Sequence, residues 1–86
     1  MSRDDIIAIV NRILAEEFEV PPEDVRASAH LFDDLALDSL DTVDLIVTLE
    51  LAFGERVDEA EAKQARTVGE VYALIGRTLA LKEASA

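Results

Sequence analysis

Apolar residues in this chain recur at intervals of three and four and never alternate over the length of a strand. That period belongs to amphipathic helices, whereas a half-buried strand repeats every second residue. The first such segment follows Ser2, where Asp5 three residues on gives a weak capping-box pattern. Ile6, Ile9, Val10 and Ile13 hold one face, widened by Ile7, Leu14 and Phe18. Pro21-Pro22 must end it, because proline lacks an N–H and drives the residue before it out of helical geometry. A second helix is expected over about Ser39–Phe53 with Gly54 as its C-cap, and a short acidic one around Glu59–Gln64. Thr67 caps a last helix with Val68, Val71, Tyr72, Ile75 and Leu79 on one face, which Gly69 and Gly76 weaken by up to about 1 kcal/mol each. Residues 82–86 read as a frayed tail.

The 86 residues therefore predict one all-α domain, residues 1–86, with no internal repeat and no linker. Its architecture is a small four-helix bundle, three long helices and one short one, with a long loop over about 20–37 between the first two. Val25, Leu31, Phe32 and Leu35 are the expected anchors of that loop, and a loop of such length is usually functional or ordered by its own side chains. A domain this small buries only about 60–65% of its unfolded surface, so modest stability is expected.

Charge narrows the partners. Nineteen acidic against eight basic residues give a formal net charge of −11. Coulomb repulsion then opposes nucleic acid and anionic membranes, while a basic protein patch would be steered toward the chain. The N-terminal Met1-Ser2-Arg3-Asp4-Asp5 is polar and acidic where a signal peptide is basic and then apolar, and no apolar run approaches the roughly 18 residues of a membrane span. The absence of cysteine fits a reducing compartment. These features predict a soluble, cytoplasmic, monomeric domain.

The second helix carries two apolar stripes. At roughly 100° per residue, Leu45, Ile46, Leu49 and Phe53 form one, and Leu40, Val43, Val47 and Leu51 another almost opposite. One core face needs only one stripe. Flanked by Asp41, Asp44 and Glu50, the second reads as an exposed docking strip; the alternative is that both stripes are buried between neighbouring helices, Leu51 above all.

Catalytic chemistry finds little support. A nucleophilic serine needs a base within hydrogen-bond reach. The only histidine is His30, in the loop, and no Gly-x-Ser-x-Gly elbow surrounds Ser39. His30 reads as a surface or loop-packing residue. The Asp-rich run 33–44 invites a calcium-loop reading but places Leu35, Leu37 and Asp38 where that loop needs oxygen ligands and a turn glycine; no metal site is predicted. A phosphate ester on Ser39 suits the site better. A helix N-terminus leaves N–H groups unsatisfied and carries about +0.5 of partial charge, so a phosphodiester on its first-turn hydroxyl is tolerated. Asp38 can serve as N-cap, and Asp41 in the first turn interacts favourably with the dipole. Local pattern alone also allows Asp38-Ser39 to be an ordinary helix start.

The segment Asp34-Leu35-Ala36-Leu37-Asp38-Ser39-Leu40-Asp41-Thr42-Val43-Asp44-Leu45 resembles the attachment motif of acyl carrier proteins. The resemblance extends over nearly the whole chain: the apolar pattern of the first helix, Glu23-Asp24-Val25, Leu49-Glu50 with Phe53, Val57, Ala62 and Thr67-Val68. It implies a non-enzymatic carrier with covalent 4′-phosphopantetheine on Ser39, the thiol of which holds acyl groups as thioesters. Asp38 and Leu40 would help a phosphopantetheinyl transferase recognise the serine. Asp38, Asp41, Asp44 and Glu50 would meet basic patches on acyl-transferring, condensing and acyl-ligating enzymes of fatty acid, lipid or polyketide synthesis, with Leu40, Val43 and Val47 as the apolar middle of that contact. Leu45, Ile46, Leu49 and Phe53 would line an acyl pocket.

Several residues depart from the pattern of that family. Ala36 and Glu19 stand where glycine is common, Leu37 where a small residue is, and Leu51-Ala52 where carboxylates usually continue; Arg56 adds a positive charge to the following loop. None touches attachment, and together they suggest a specialised pathway. Two readings compete with an acyl carrier: an aminoacyl or peptidyl carrier, and an unmodified acidic helical adaptor in which Ser39 is only part of a cap.

Overall fold

The computed structural model describes residues 2–85, with side chains through residue 80. Its elements are α1 (Arg3–Glu17), a single 3-10 turn (Pro22–Asp24), α2 (Ser39–Phe53), α3 (Glu59–Gln64) and α4 (Val68–Ser85). Three long helices and one short one are thus joined as the periodicity predicts, and no strand occurs among the described residues. The expected tail over 82–86 lies outside the described side chains; the backbone of α4 is helical through Ser85.

Three of the four helices start at caps that the sequence announces, and the structure adds Asp58 for the short one. The Ser2 hydroxyl accepts from Asp5 N–H, and the Asp5 carboxylate accepts from Ser2 N–H, both at 3.2 Å, which completes the capping box. Asp58 caps α3 through Glu61 N–H at 2.9 Å. Thr67 and Glu70 reciprocate at the head of α4. α1 ends before the prolines, and the chain turns through Glu19 at φ 57°. Gly54 closes α2 in the left-handed region at φ 70°, its N–H donating to Glu50 C=O at 2.8 Å.

Leu14, Leu45, Leu49, Leu74, Ile75 and Val10 fill the centre, where α1 packs against both α2 and α4. Across the α1–α4 contact the Tyr72 hydroxyl donates to Asn11 Oδ1. Burial pushes the Tyr72 phenol up from its ordinary 10.0, and the Asn11 bond pulls the other way without reversing the shift. A raised phenol favours the folded state fully below pH 10 and loses that contribution as pH rises through the folded-state value. Urea titrations from pH 9 to 11.5 should therefore show the wild type losing stability more steeply than Tyr72→Phe above about pH 10; parallel curves would remove Tyr72 from the alkaline transition.

The long loop is ordered by its own anchors. Leu31 is buried, and Val25, Phe32 and Leu35 are half-buried, as expected; Val20, Ala29 and Leu37 are buried as well. Its carbonyls also finish α4. Val68 N–H donates to Ala29 C=O at 3.0 Å and Gly69 N–H to Ala27 C=O at 2.9 Å, satisfying donors that the first helical turn leaves open. Leu31 N–H returns a bond to Arg66 C=O at 2.8 Å.

This contact separates the two glycines of α4, which helix propensity treats alike. A Cβ on Gly69 would lie 3.0 Å from the Ala27 carbonyl oxygen, whereas one on Gly76 meets nothing within 4 Å. Gly76→Ala should stabilise by about 0.5–1 kcal/mol in urea denaturation. Gly69→Ala should lose about 1 kcal/mol or more, because overpacking outweighs the propensity gain. A matching gain at both positions would mean the loop yields freely.

Candidate functional site

Ser39 is the first residue of α2 and is exposed. Its backbone is held from both sides. Before it, Leu37 is buried and its N–H donates to Leu31 C=O at 3.0 Å, which pins the chain one residue ahead of the cap. Asp38 is the N-cap: Asp38 Oδ1 accepts from Asp41 N–H at 2.9 Å, and Asp41 Oδ2 accepts from Asp38 N–H at 3.1 Å. Within the first turn, Thr42 Oγ1 donates to Ser39 C=O at 2.8 Å. The Ser39 hydroxyl itself has no hydrogen bond among the described residues. A fixed backbone with a free, exposed hydroxyl suits a group that another molecule must reach.

No base serves that hydroxyl. His30 Nδ1 accepts the N–H groups of Phe32 and Asp33 at 3.2 and 3.1 Å, and its ring lies against Phe32 with centroids 5.9 Å apart. His30 therefore organises its own turn. No group of three or more His, Cys, Asp or Glu among the described residues could hold a metal ion.

The two stripes of α2 part as periodicity predicts. Leu45 and Leu49 are buried at 1% and 0% exposure, with Ile46 and Phe53 half-buried beside them. On the other side Leu40 is 77%, Val43 61%, Val47 48% and Leu51 80% exposed. The alternative of two buried stripes is thus decided against, most clearly at Leu51. Asp38 and Asp44 are also exposed, Asp41 is half-buried and committed to the cap, and Leu40 stands beside Ser39 on the surface. Glu50 differs from a freely projecting rim carboxylate: it is half-buried, and its Oε2 accepts Val57 N–H at 2.8 Å, tying the end of α2 to the loop before α3.

Beside Ser39 opens a groove of about 470 Å³. Leu45, Ile46, Val57, Ala62 and Val71 give it an apolar floor, and Val43 and Val47 form a lip that is also part of the exposed stripe. Leu49 and Phe53, expected to line an acyl pocket, do not line this groove; they belong to the core and its edge. The wall contributed by Leu31, Phe32 and Ala65 was not apparent from the second helix alone, since it comes from the loop and the C-cap of α3.

One neighbouring feature carries strain. Ala36 sits at φ 58°, in the left-handed region that favours glycine. Ala36→Gly should stabilise by about 0.5–1 kcal/mol, the relief of Cβ strain exceeding the entropy that glycine adds to the unfolded chain. Thermal melting of the apo protein measures it, and a drop would show that the loop tolerates alanine without strain.

The family described as "Phosphopantetheine attachment site" matches residues 8–75. The chain is 40% identical over 78 residues to an acyl carrier protein of Thermotoga maritima, covering 91% of this chain and 96% of the relative. It is 39% identical over 80 residues to acyl carrier protein 2 of Ralstonia nicotianae, covering 93% and 99%. To an acyl carrier protein of Chlamydia muridarum it is 44% identical over 66 residues, covering 77% and 86%. The chain belongs to the acyl carrier protein family, and its prosthetic group is covalent 4′-phosphopantetheine. The residues around Ser39 fit that group: an exposed hydroxyl, an open helix N-terminus for a phosphodiester, and a groove alongside. When attached, the group supplies a thiol for thioester formation. No helix among the described residues is long and apolar enough to cross a membrane.

Proposed function

We propose that Ser39 carries the arm, and that the protein presents thioester-bound acyl groups to enzymes that dock on the exposed stripe of α2. The exposed, unbonded Ser39 hydroxyl at a doubly fixed helix start carries this reading. Asp38 and Leu40 flank it as recognition residues for the transferase. Leu40, Val43 and Val47 supply an apolar centre, with Asp38, Asp41 and Asp44 on its rim and Glu50 contributing its remaining oxygen. A small apolar centre within a charged rim suits fast association by steering and short residence. In this reading the protein is a cytoplasmic, monomeric carrier that performs no catalysis of its own.

The test is intact mass after incubation with coenzyme A, Mg²⁺ and a broad-specificity phosphopantetheinyl transferase. One added phosphopantetheine is expected; none, on a folded protein, would overturn the assignment. Leu51, Ala52 and Arg56 replace acidity by apolar surface and a cation at the far end of α2, which favours service to a modified-acyl or secondary pathway. Turnover with a pathway-specific ketosynthase should exceed that with a housekeeping one, and equal use of both would sink this refinement.

A further inference from the structure

The groove beside Ser39 is basic at its rim in a chain that is otherwise strongly acidic. Arg56, Lys63 and Arg66 all line it, three of the eight basic residues in a sequence of net charge −11. The same lining holds two carboxylates, of which Glu59 is ion-paired and Glu50 keeps its charge. Glu50 Oε2 accepts Val57 N–H, and Glu59 Oε1 lies 3.4 Å from Lys63 Nζ. Arg66 gives one guanidinium nitrogen to the carbonyls of Lys63 and Ala65 and keeps its other donors. Arg56 is exposed and has neither ion pair nor hydrogen bond among the described residues. Three cations against two carboxylates leave the lining around the apolar floor with a balance of one positive charge.

A plain alkyl chain would make use of the floor alone. We propose that the groove takes an acyl group whose far end carries a carboxylate, with Arg56 as its counter-ion. This rests on the reading that Ser39 bears the arm. The lining takes in both Ser39 and Thr42 in the first turn of α2 and Arg56 in the loop after it, so one groove joins the attachment end of the helix to this cation. Guanidinium and carboxylate match geometrically as a two-pronged pair. Screening over about 10 Å at 0.1 M salt leaves the charges nearest the groove to set the potential there, and direct contact with the exposed Arg56 guanidinium to decide the cargo.

The experiment loads the apo protein, through the transferase, from hexanoyl- and adipoyl-coenzyme A, which differ by the terminal carboxylate, and compares melting. The adipoyl form should melt about 2–4 °C above the hexanoyl form, with the gap shrinking in about 0.5 M salt. In Arg56→Gln the gap should vanish or reverse, because one more negative charge then adds only self-repulsion; Arg56→Lys should keep part of it. The difference between cargoes within each variant cancels any effect of the substitution on the fold. The side-chain Nε–H resonance of Arg56 should move with adipoyl and not with hexanoyl. A hexanoyl form melting as high or higher in the wild type, or a gap that survives Arg56→Gln, would overturn the proposal while leaving attachment intact. Absence of either acyl-pantetheine by mass would instead overturn the Ser39 reading on which it stands.

Discussion

Ser39→Ala should fold and melt as the wild type does and yet accept no phosphopantetheine at all. The stability half of this expectation follows from the division of labour at the head of α2. Capping is performed by Asp38 and Asp41, through side chain and backbone, and the Thr42 hydroxyl bonds the Ser39 carbonyl, which alanine retains. Ser39 itself is exposed and its hydroxyl bonds to nothing described, so its removal should change stability by no more than about 0.5 kcal/mol. The loading half is absolute under the proposed assignment: Ser39 Oγ would bond to the pantetheine-bearing phosphorus of coenzyme A as the pyrophosphate bond breaks and adenosine 3′,5′-bisphosphate leaves, and alanine has no oxygen to attack. Asp38→Ala makes the complementary case, losing about 1 kcal/mol of cap while keeping the hydroxyl. Denaturation with intact mass on the same samples separates these effects. Mass gained by Ser39→Ala would move the attachment to another residue, and unfolding of that variant would make the serine part of the cap after all.

Leu49→Ala should cost about 2–5 kcal/mol, and Leu51→Ala, two residues on, about 0.5 kcal/mol or less. The substitution and the helix are the same; burial is not. Leu49 is 0% exposed within the core shared with Val10 and Leu14 of α1, whereas Leu51 is 80% exposed. Truncating Leu49 leaves a cavity as well as losing transfer free energy, and helices packed on either side cannot fully collapse into it. A domain of 86 residues has about 4–13 kcal/mol of stability in total, so the loss is a large share of the whole. Urea midpoints at constant m-value read the difference directly. Equal losses at both positions would mean that Leu51 is covered in solution.

Local signals carried most of the architecture. The helices, their caps at Ser2, Asp38 and Thr67, and the Gly54 stop all follow from spacing and short-range hydrogen bonding, which the chain expresses within a few residues. The two stripes of α2 were legible for the same reason, and so was Ser39 at the head of the helix. What the spacing did not disclose depends on contacts between distant segments. Gly69 owes its value to the Ala27 carbonyl, Ala29 and Leu37 are buried by neighbours outside their own loop, and Glu50 turns back to Val57. Leu49 and Phe53 share a stripe with Leu45 and Ile46, but only the latter pair faces the groove, because α3 and the loop cover one end of that stripe differently from the other. Ala36 and Glu19 stood out only as departures from a family habit; their left-handed backbone supplies the physical reason for that habit.

Val43 and Val47 belong at once to the exposed stripe and to the lip of the groove. On the proposed reading, a molecule seated on the stripe and a chain lying in the groove touch the same two side chains, which is a direct route for coupling between them. Reciprocity then holds: whatever factor an occupied groove applies to the affinity of a docked protein, the docked protein applies to the occupancy of the groove. Such coupling would let a carrier signal its load at the surface with no change of fold.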